Sequence, residues 1–400
     1  MRVSTSWMQQ QSVGTMMDRQ SDLSRLNTQL ATGKRINQPS DDPVGAARAL
    51  DQTHLIADVA QYQRNITSAN ARLGLEDQSL ANATNVLGRT RTLVLQAING
   101  TQSDGTRGDI ATELVQLRQQ LLAQANSKDG QGEYIYAGNR TGSAPFTQQA
   151  GVTYVGDDGQ RMVAAGPGLQ VATGDPGSAV FGSIPTGNGT FAISAGGANT
   201  GTVVAGASSV SDPSASPSAW DGGTYSIVFT APNTYEVRDS ASTVLDSGTY
   251  DPTSGGSVAF RGAQVAFTGT PAVNDSFSLS ASGKQDVFAT LQNIIDALRT
   301  PHGGGADMQN AMNTQFANLD QAIDTITRTR GMVGARMNAL DQQQRLNDDL
   351  TLQYKTSLSA VQALNYYDAI SQLGAQTTAL QAAQMTFSKL QGSKLFDYLR

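Results

Sequence analysis

The chain has no cysteine, so neither disulfides nor thiolate chemistry is open to it, and cysteine usage gives no reading of redox compartment. Histidine is nearly as scarce: His54 and His302 lie far apart, with none of the H-x-x-x-H spacing that builds a zinc site. Charge is thin. Asp, Glu, Lys and Arg make up 15% of the 400 residues, against about a quarter in ordinary soluble domains. A net charge of -6 with no basic run argues against nucleic acid, whose binding needs clustered Lys and Arg. There is no run of about 18 apolar residues to span a membrane. Residues 1–13 lack the basic segment and apolar core of a cleavable secretory signal. The G-x-S-x-G elbow and the phosphate-binding loop are missing too, since Gly33-Lys34 and Gly283-Lys284 carry only fragments of the latter. The pairs Asp41/Asp42, Asp157/Asp158 and Asp348/Asp349 read as a helix cap, a turn and a solvated helix face. Arg107-Gly108-Asp109 spells an adhesion tripeptide, but it opens a helical stretch in which Asp109 is the expected N-cap. No catalytic residue, metal ligand or cofactor site is expected.

What the chain does have is a seven-residue repeat. Val59, Ile66, Leu73, Leu80, Leu87 and Val94 recur at sevens, and Tyr62, Ala69, Ala83 and Ala97 form a second column. A heptad seam held this long calls for a partner helix along its whole length. Asp42 is placed to cap the helix, Pro43 suits its first turn, and Asn99-Gly100 is a stop. At about 1.5 Å per residue the helix is on the order of 85 Å long, far beyond the ~11-residue average. The partner lies near the other end, where Met312, Leu319, Ile326, Val333 and Leu340 repeat at sevens, accompanied by Phe316, Ile323 and Met337. The two seams pair antiparallel if the chain folds back between them.

Two further helices are predicted beside the first seam's end and the second seam's start. Residues 109–125, with Ile110, Leu114, Leu117 and Leu121 on one face, should fold back on the long helix after a short turn. Val287, Leu291, Ile294 and Leu298 make another. Between them the period changes. GEYIYAGN, at 132–139, reads as a short strand, and strands are expected at 225–229, 234–238, 258–260, 264–267 and 276–279. Residues 182–218 read as strands or long loops alike.

The ends are the weakest parts. Met16, Leu23, Leu26 and Leu30 form a narrow stripe over residues 1–31. A polar linker, TGKRINQPSDD, follows at 32–42. A last helix over 346–390 carries Tyr366, Ile370, Leu373, Leu380, Ala383, Phe387 and Leu390. Two marginal helices that meet only each other rarely offset an ordering entropy of roughly 1–2 kcal/mol per residue. The remaining stripe is expected between subunits, and the low charge lets copies lie together. The expected fold is α+β: an elongated antiparallel helical rod made from both chain ends, an inserted β-rich domain and terminal coiled-coil helices. Its parts are an N-terminal assembly helix and linker (1–41), the first half of the rod (42–141), the insertion (142–283), the second half of the rod (284–349) and a C-terminal assembly helix (350–400).

LATGKRINQPSDDPVGAARA, at 30–49, resembles the N-terminal signature of the bacterial flagellin family through Gly33, Arg35, Ile36, Asn37, Asp41 and Asp42. LGRTRTLVLQAINGT, at 87–101, is similar to the family's second signature at Arg89, Arg91, Leu93, Gln96, Ala97, Asn99 and Gly100. Thr92 stands where filament flagellins usually carry an acid, so no ion pair is carried over to it. The opening MRVST, GEYIYAGN and the close from Tyr367 through SKLQGSKLFDYLR resemble the family's hook-filament junction subunits. The resemblance implies a non-enzymatic subunit of the extracellular flagellum, exported unfolded by the flagellar type III apparatus. Its implied partners are copies of itself in a ring, the first hook-associated protein, flagellin, and an export chaperone on the Tyr366, Leu373, Leu380 and Phe387 stripe. Met16, Leu23, Leu26, Leu30, Arg89, Leu93, Tyr366, Ile370, Leu373, Leu380, Phe387 and Leu390 are its expected assembly residues. The alternatives are a filament flagellin or, in another class, a surface-displayed hydrolytic or glycan-binding β module with Trp220, Tyr225 and Tyr235 as a sugar platform.

Overall fold

The computed structural model describes residues 5–100, 102–149, 151–210, 220–300 and 305–392. In chain order, helices α1 (Thr5–Thr32), α2 (Pro43–Ile98) and α3 (Asp104–Ala125) come first. Fourteen strands follow among the described residues: β1 (Phe146–Gln148), β2 (Val152–Tyr154), β3 (Met162–Gly166), β4 (Leu169–Ala172), β5 (Ile184–Pro185), β6 (Phe191–Ala195), β7 (Val204–Val210), β8 (Tyr225–Ala231), β9 (Thr234–Asp239), β10 (Val244–Thr249), β11 (Gly256–Phe260), β12 (Ala263–Thr268), β13 (Ser276–Ala281) and β14 (Lys284–Gln285). Helices α4 (Val287–Arg299), α5 (Ala306–Gln362) and α6 (Tyr366–Gly392) close the described chain. These elements form two compact units, one from the chain up to Arg64 together with the part from Gln343 on, the other spanning Asn65–Gln342.

In the second unit, four helices share one core. Ile66, Leu73, Leu80, Leu87 and Val94 of α2 are fully buried with Met312, Leu319, Ile326, Val333 and Leu340 of α5. The flanking ion pairs Arg91–Asp320 and Arg330–Asp77 and the Asn70–Asp341 hydrogen bond run in opposite directions along the two helices, so the seams meet antiparallel. The small residues Ala69, Ala83, Ala97 and Ala322 fill the gaps beside them. Helix α3 folds back on α2, with Ser79 Oγ donating to Gln124 O and Arg89 pairing with Glu113, and α4 packs into the same core. The start of α3 differs from expectation: Ser103, not Asp109, is the N-cap, its hydroxyl accepting from Thr106 N. The adhesion-like tripeptide therefore lies inside the helix, with Arg107 buried.

The insertion is built in two parts. Residues 144–186, with hairpins β1–β2 and β3–β4, join the helical core through Phe146, Val171, Val180, Phe181 and Ile184. Phe146 stacks within 5.2–5.8 Å of Tyr154, Phe181 and Phe288 of α4. The rest has its own core, centred on Phe229, Phe267 and Phe277, shared by a five-stranded sheet in the order β10-β9-β8-β13-β6 and a three-stranded sheet in the order β11-β12-β7. All pairings are antiparallel. The GEYIYAGN stretch is not a strand. Tyr134 N, Ile135 N and Tyr136 O bond to Thr141, Ser127 and Gly177 in turn, so no single neighbour offers a ladder. Its apolar run is explained by burial of Ile135, Tyr136 and Ala137 together. Residues 182–210 contribute β5, β6 and β7, while 211–219 lie outside the described residues.

Helix α5 carries a row of amides along the β part. Asn310 Oδ1 accepts from Ala205 N at 2.8 Å while its Nδ2 donates to Val203 O at 3.0 Å. Asn313 donates to Ala205 O, Thr314 to Ile193 O, and Asn318 Oδ1 accepts from Gly187 N. β7 is an edge of one sheet and β6 an edge of the other, so these side chains satisfy backbone groups that an exposed edge would offer to another chain.

In the first unit, α1 lies antiparallel to α6, with Arg19 Nη1 donating to Gln376 Oε1 at 2.7 Å. Val59 of α2 is buried, and Gln63 bonds to Asp348 of α5. The stretch expected as one helix over 346–390 is two. α5 runs to Gln362 and the chain turns at 363–365, where Asn365 Oδ1 accepts from Tyr367 N and Leu364 N donates to Gly33 O.

Candidate assembly interface

The polar residues between α1 and α2 form a knot whose partners explain the signature one by one. Gly33 has φ +68°, and a Cβ there would lie 2.7 Å from the Tyr366 hydroxyl, so both backbone and space require glycine. The Gly33 carbonyl accepts from Leu364 N, and Arg35 N donates to Gln362 O at 2.7 Å. The Arg35 guanidinium reaches Val361 O and Asp42. Ile36 is buried against the first turn of α2, where Gly45 leaves room: a Cβ there would come within 2.6 Å of Ile36 Cδ1. Asp41 Oδ2 accepts from the amides of Asn37 and Gln38, both at 3.0 Å. The Gln38 and then the Asn37 amide hold its carboxyl below the ordinary carboxylate range. Asp42 caps α2 by accepting from Gly45 N at 2.9 Å, and that amide, followed by Arg35, lowers its carboxyl likewise. The knot thus ties the end of α1, the start of α2 and the end of α5.

Beyond the knot, α1 and α6 cover only part of each other. Leu26 and Ala369 are buried. Met16, Leu23 and Leu30 on one helix and Leu373, Leu380 and Phe387 on the other are half-buried. Tyr366 and Ile370, expected in the same seam, face outward at 53% and 60% exposure, joined by Tyr367, Met17 and Met385. The side chain of Leu390 lies outside the described residues. The pair therefore buries one stripe and presents a second, broken one to solvent.

The second signature belongs to the other unit. Arg89 is exposed and paired with Glu113. Arg91 grips Asp320 at 2.7 Å with its guanidinium 4.6 Å over the Phe316 ring. Leu93, expected at an assembly surface, is instead buried in the helical core, as is Ala97. Leu93 lies on a side of α2 that packs into the core shared with the other helices of this unit, while Leu95 beside it stays half exposed. Thr92 makes no ion pair; its hydroxyl donates to Gly88 O.

Among the described residues no cluster of three His, Cys, Asp or Glu fit to hold a metal occurs, and no helix is long and apolar enough to cross a membrane. His54 is exposed, and His302 lies outside the described residues. Tyr225 is buried, and Trp220 lies against it and Phe191 at 5.5 and 5.2 Å, so these rings fill the β core. The chemistry-bearing residues that sequence reasoning missed are Arg72, Glu76, Asp175 and Arg336, which meet inside the second unit. Glu76 alone carried a trace, as a carboxylate on the seam side of a heptad helix, between Leu73 and Leu80.

Comparison with known proteins agrees with this arrangement. The bacterial flagellin N-terminal helical region matches residues 3–141. The chain is 25% identical to flagellar hook-associated protein 3 of Salmonella typhimurium over the whole of both. It is similar in structure to FlgL of Xanthomonas campestris, with 35% identity, 77% of this chain and 99% of the other covered, and a TM-score of 0.71. The flagellar junction protein FlgL of Legionella pneumophila gives 30% identity, 80% and 100% coverage, and a TM-score of 0.69. With two solved relatives at or above 30% identity covered almost end to end, both carrying this helical and β architecture, the chain belongs to the family of flagellar hook-associated protein 3, a family of structural flagellar components.

Proposed function

We propose that this chain is the subunit that joins the hook-associated end of a bacterial flagellum to its flagellin filament. The observation that carries the reading is the half-covered α1–α6 pair. Of the nine expected α1 and α6 interface positions whose side chains are described, only Leu26 is buried within the chain. A two-helix layer of this kind gains too little burial to hold itself in order, and neighbouring copies supply what is missing. In this reading the terminal helices fold against subunits already in place, copies close into a ring, the first hook-associated protein lies on one side and flagellin on the other. Before export, a chaperone covers the Leu373, Leu380 and Phe387 stripe, which would otherwise promote aggregation. The role is structural, without catalysis, and outside the cell.

Immunogold labelling of purified flagella tests the placement. A narrow band at the outer end of the hook supports it. Label along the shaft would make the chain a filament flagellin instead, and absence from flagella would end the proposal.

A further inference from the structure

Inside the second unit, four segments meet at a cluster of charges that the assembly reading does not use. Arg72 Nη1 of α2 lies 2.8 Å from Asp129 and 3.2 Å from Glu133, and Arg161 also pairs with Glu133. Arg336 of α5 holds both oxygens of Asp175, each at 2.9 Å, and Gln160 donates to the same carboxylate. Three guanidinium groups are thereby matched to three carboxylates. Glu76 is the fourth carboxyl, and neither Arg72 nor Arg336 forms an ion pair with it. It is wholly buried, its Oε1 accepts from the Asp175 amide at 3.0 Å, and its Oε2 has no partner among the described residues. Oε2 and Arg72 Nε both flank Gly174, 3.8 and 3.9 Å from where a Cβ would stand. The remaining ionisable neighbours are Tyr136 on the 128–141 segment, whose hydroxyl donates to Glu76 O, and Asp77 on α2, already paired with Arg330.

A buried carboxyl that no cation touches is more stable neutral than charged. We infer that the Glu76 carboxyl is a proton-operated latch: protonated, it lets the Gly174-Asp175 turn close on α2 and α5, and on ionisation it repels the Asp175 carboxylate and releases that turn. Burial first, and the Asp175 charge second, push Glu76 up to about 8 from an ordinary value of 4.5, outweighing the Asp175 amide and the charges of Arg336 and Arg72, which act the other way. The folded chain therefore holds this proton more tightly than the unfolded chain. The stability it brings is complete below about 4.5, declines as pH rises, and is gone above about 8.

The chain has four glutamates, Glu76, Glu113, Glu133 and Glu236, so a full-length sample labelled with ¹³C-carboxyl glutamate gives a spectrum that a Glu76→Gln variant assigns. Glu76 is expected to titrate near pH 8, well above the ordinary carboxylate range. Titration of Glu76 within the ordinary carboxylate range, near 4.5, overturns the inference. The release is read separately, as the rate of tryptic cleavage after Arg161 relative to that after Arg238 of β9. From pH 7 to 9 that ratio should rise about tenfold in the native chain, the scale of one proton over one pH unit, and stay level in Glu76→Gln. A level ratio in both proteins, or an equal rise in both, overturns the latch even if Glu76 titrates high.

Discussion

Replacing Asn310 by alanine should loosen the β part of the insertion from α5. The asparagine is 5% exposed and makes two bonds to β7 and the residue before it, one as acceptor and one as donor. Alanine leaves the Ala205 amide and the Val203 carbonyl buried without partners, and each such group costs about 1–3 kcal/mol. Entry of water at the new gap recovers part of this, so a total of about 2–4 kcal/mol is expected for local opening. Asn313→Ala removes one half-buried bond, to Ala205 O, and should cost only about 1 kcal/mol. Amide hydrogen exchange of the full-length protein separates the two. In Asn310→Ala the Ala205 amide should exchange roughly 30- to 1000-fold faster, that energy expressed as a rate ratio, while amides of β8 and β13 stay protected. Unchanged exchange at Ala205, or an effect no larger than that of Asn313→Ala, would refute the claim that this side chain substitutes for a strand.

Three other outcomes follow from the first unit. Gly33→Ala combines a left-handed backbone with a close approach to the Tyr366 hydroxyl, and should lower stability by about 1–2 kcal/mol, read as a lower melting temperature; an unchanged melt would mean that the knot is not held as described. Limited trypsin treatment of the monomer should remove both ends and leave a fragment near 42–350, whereas a monomer intact from end to end contradicts folding on neighbours. Leu373→Asp with Leu380→Asp should weaken binding of the cognate export chaperone at least tenfold in calorimetry, and unchanged affinity moves the chaperone to another surface.

The long helices were legible because one physical rule, burial of every seventh residue, repeats over many turns in both. Leu73, Leu80 and Leu87 need no other information to be placed. The break at 363–365 was not legible, because the apolar spacing carries on across it and the stop is made by Asn365 and by a carbonyl at Gly33. β10 escaped notice because it is an edge strand with five of its six residues exposed, so no alternation marks it. Phe146 and Phe181 look in sequence like members of a β core, yet they pack on Phe288 of a helix. The row of Asn310, Asn313 and Asn318 reads as an ordinary polar helix face until the sheet edges are set beside it. On α1 and α6 the spacing marks positions that the structure leaves half-buried, but it could not tell that Leu93 is claimed by neighbours from elsewhere in the chain or that Tyr366 and Ile370 stay more than half exposed.

The Arg35 contact with Val361 spans 326 positions of sequence. At a ribosomal pace of about 5–20 residues per second, the arginine waits roughly 16–65 s for its mate to be made. For that interval the first part of the chain goes without the tie that Val361 supplies. A product cut short before residue 361 never acquires the contact, so the completed knot is a record that translation passed that residue.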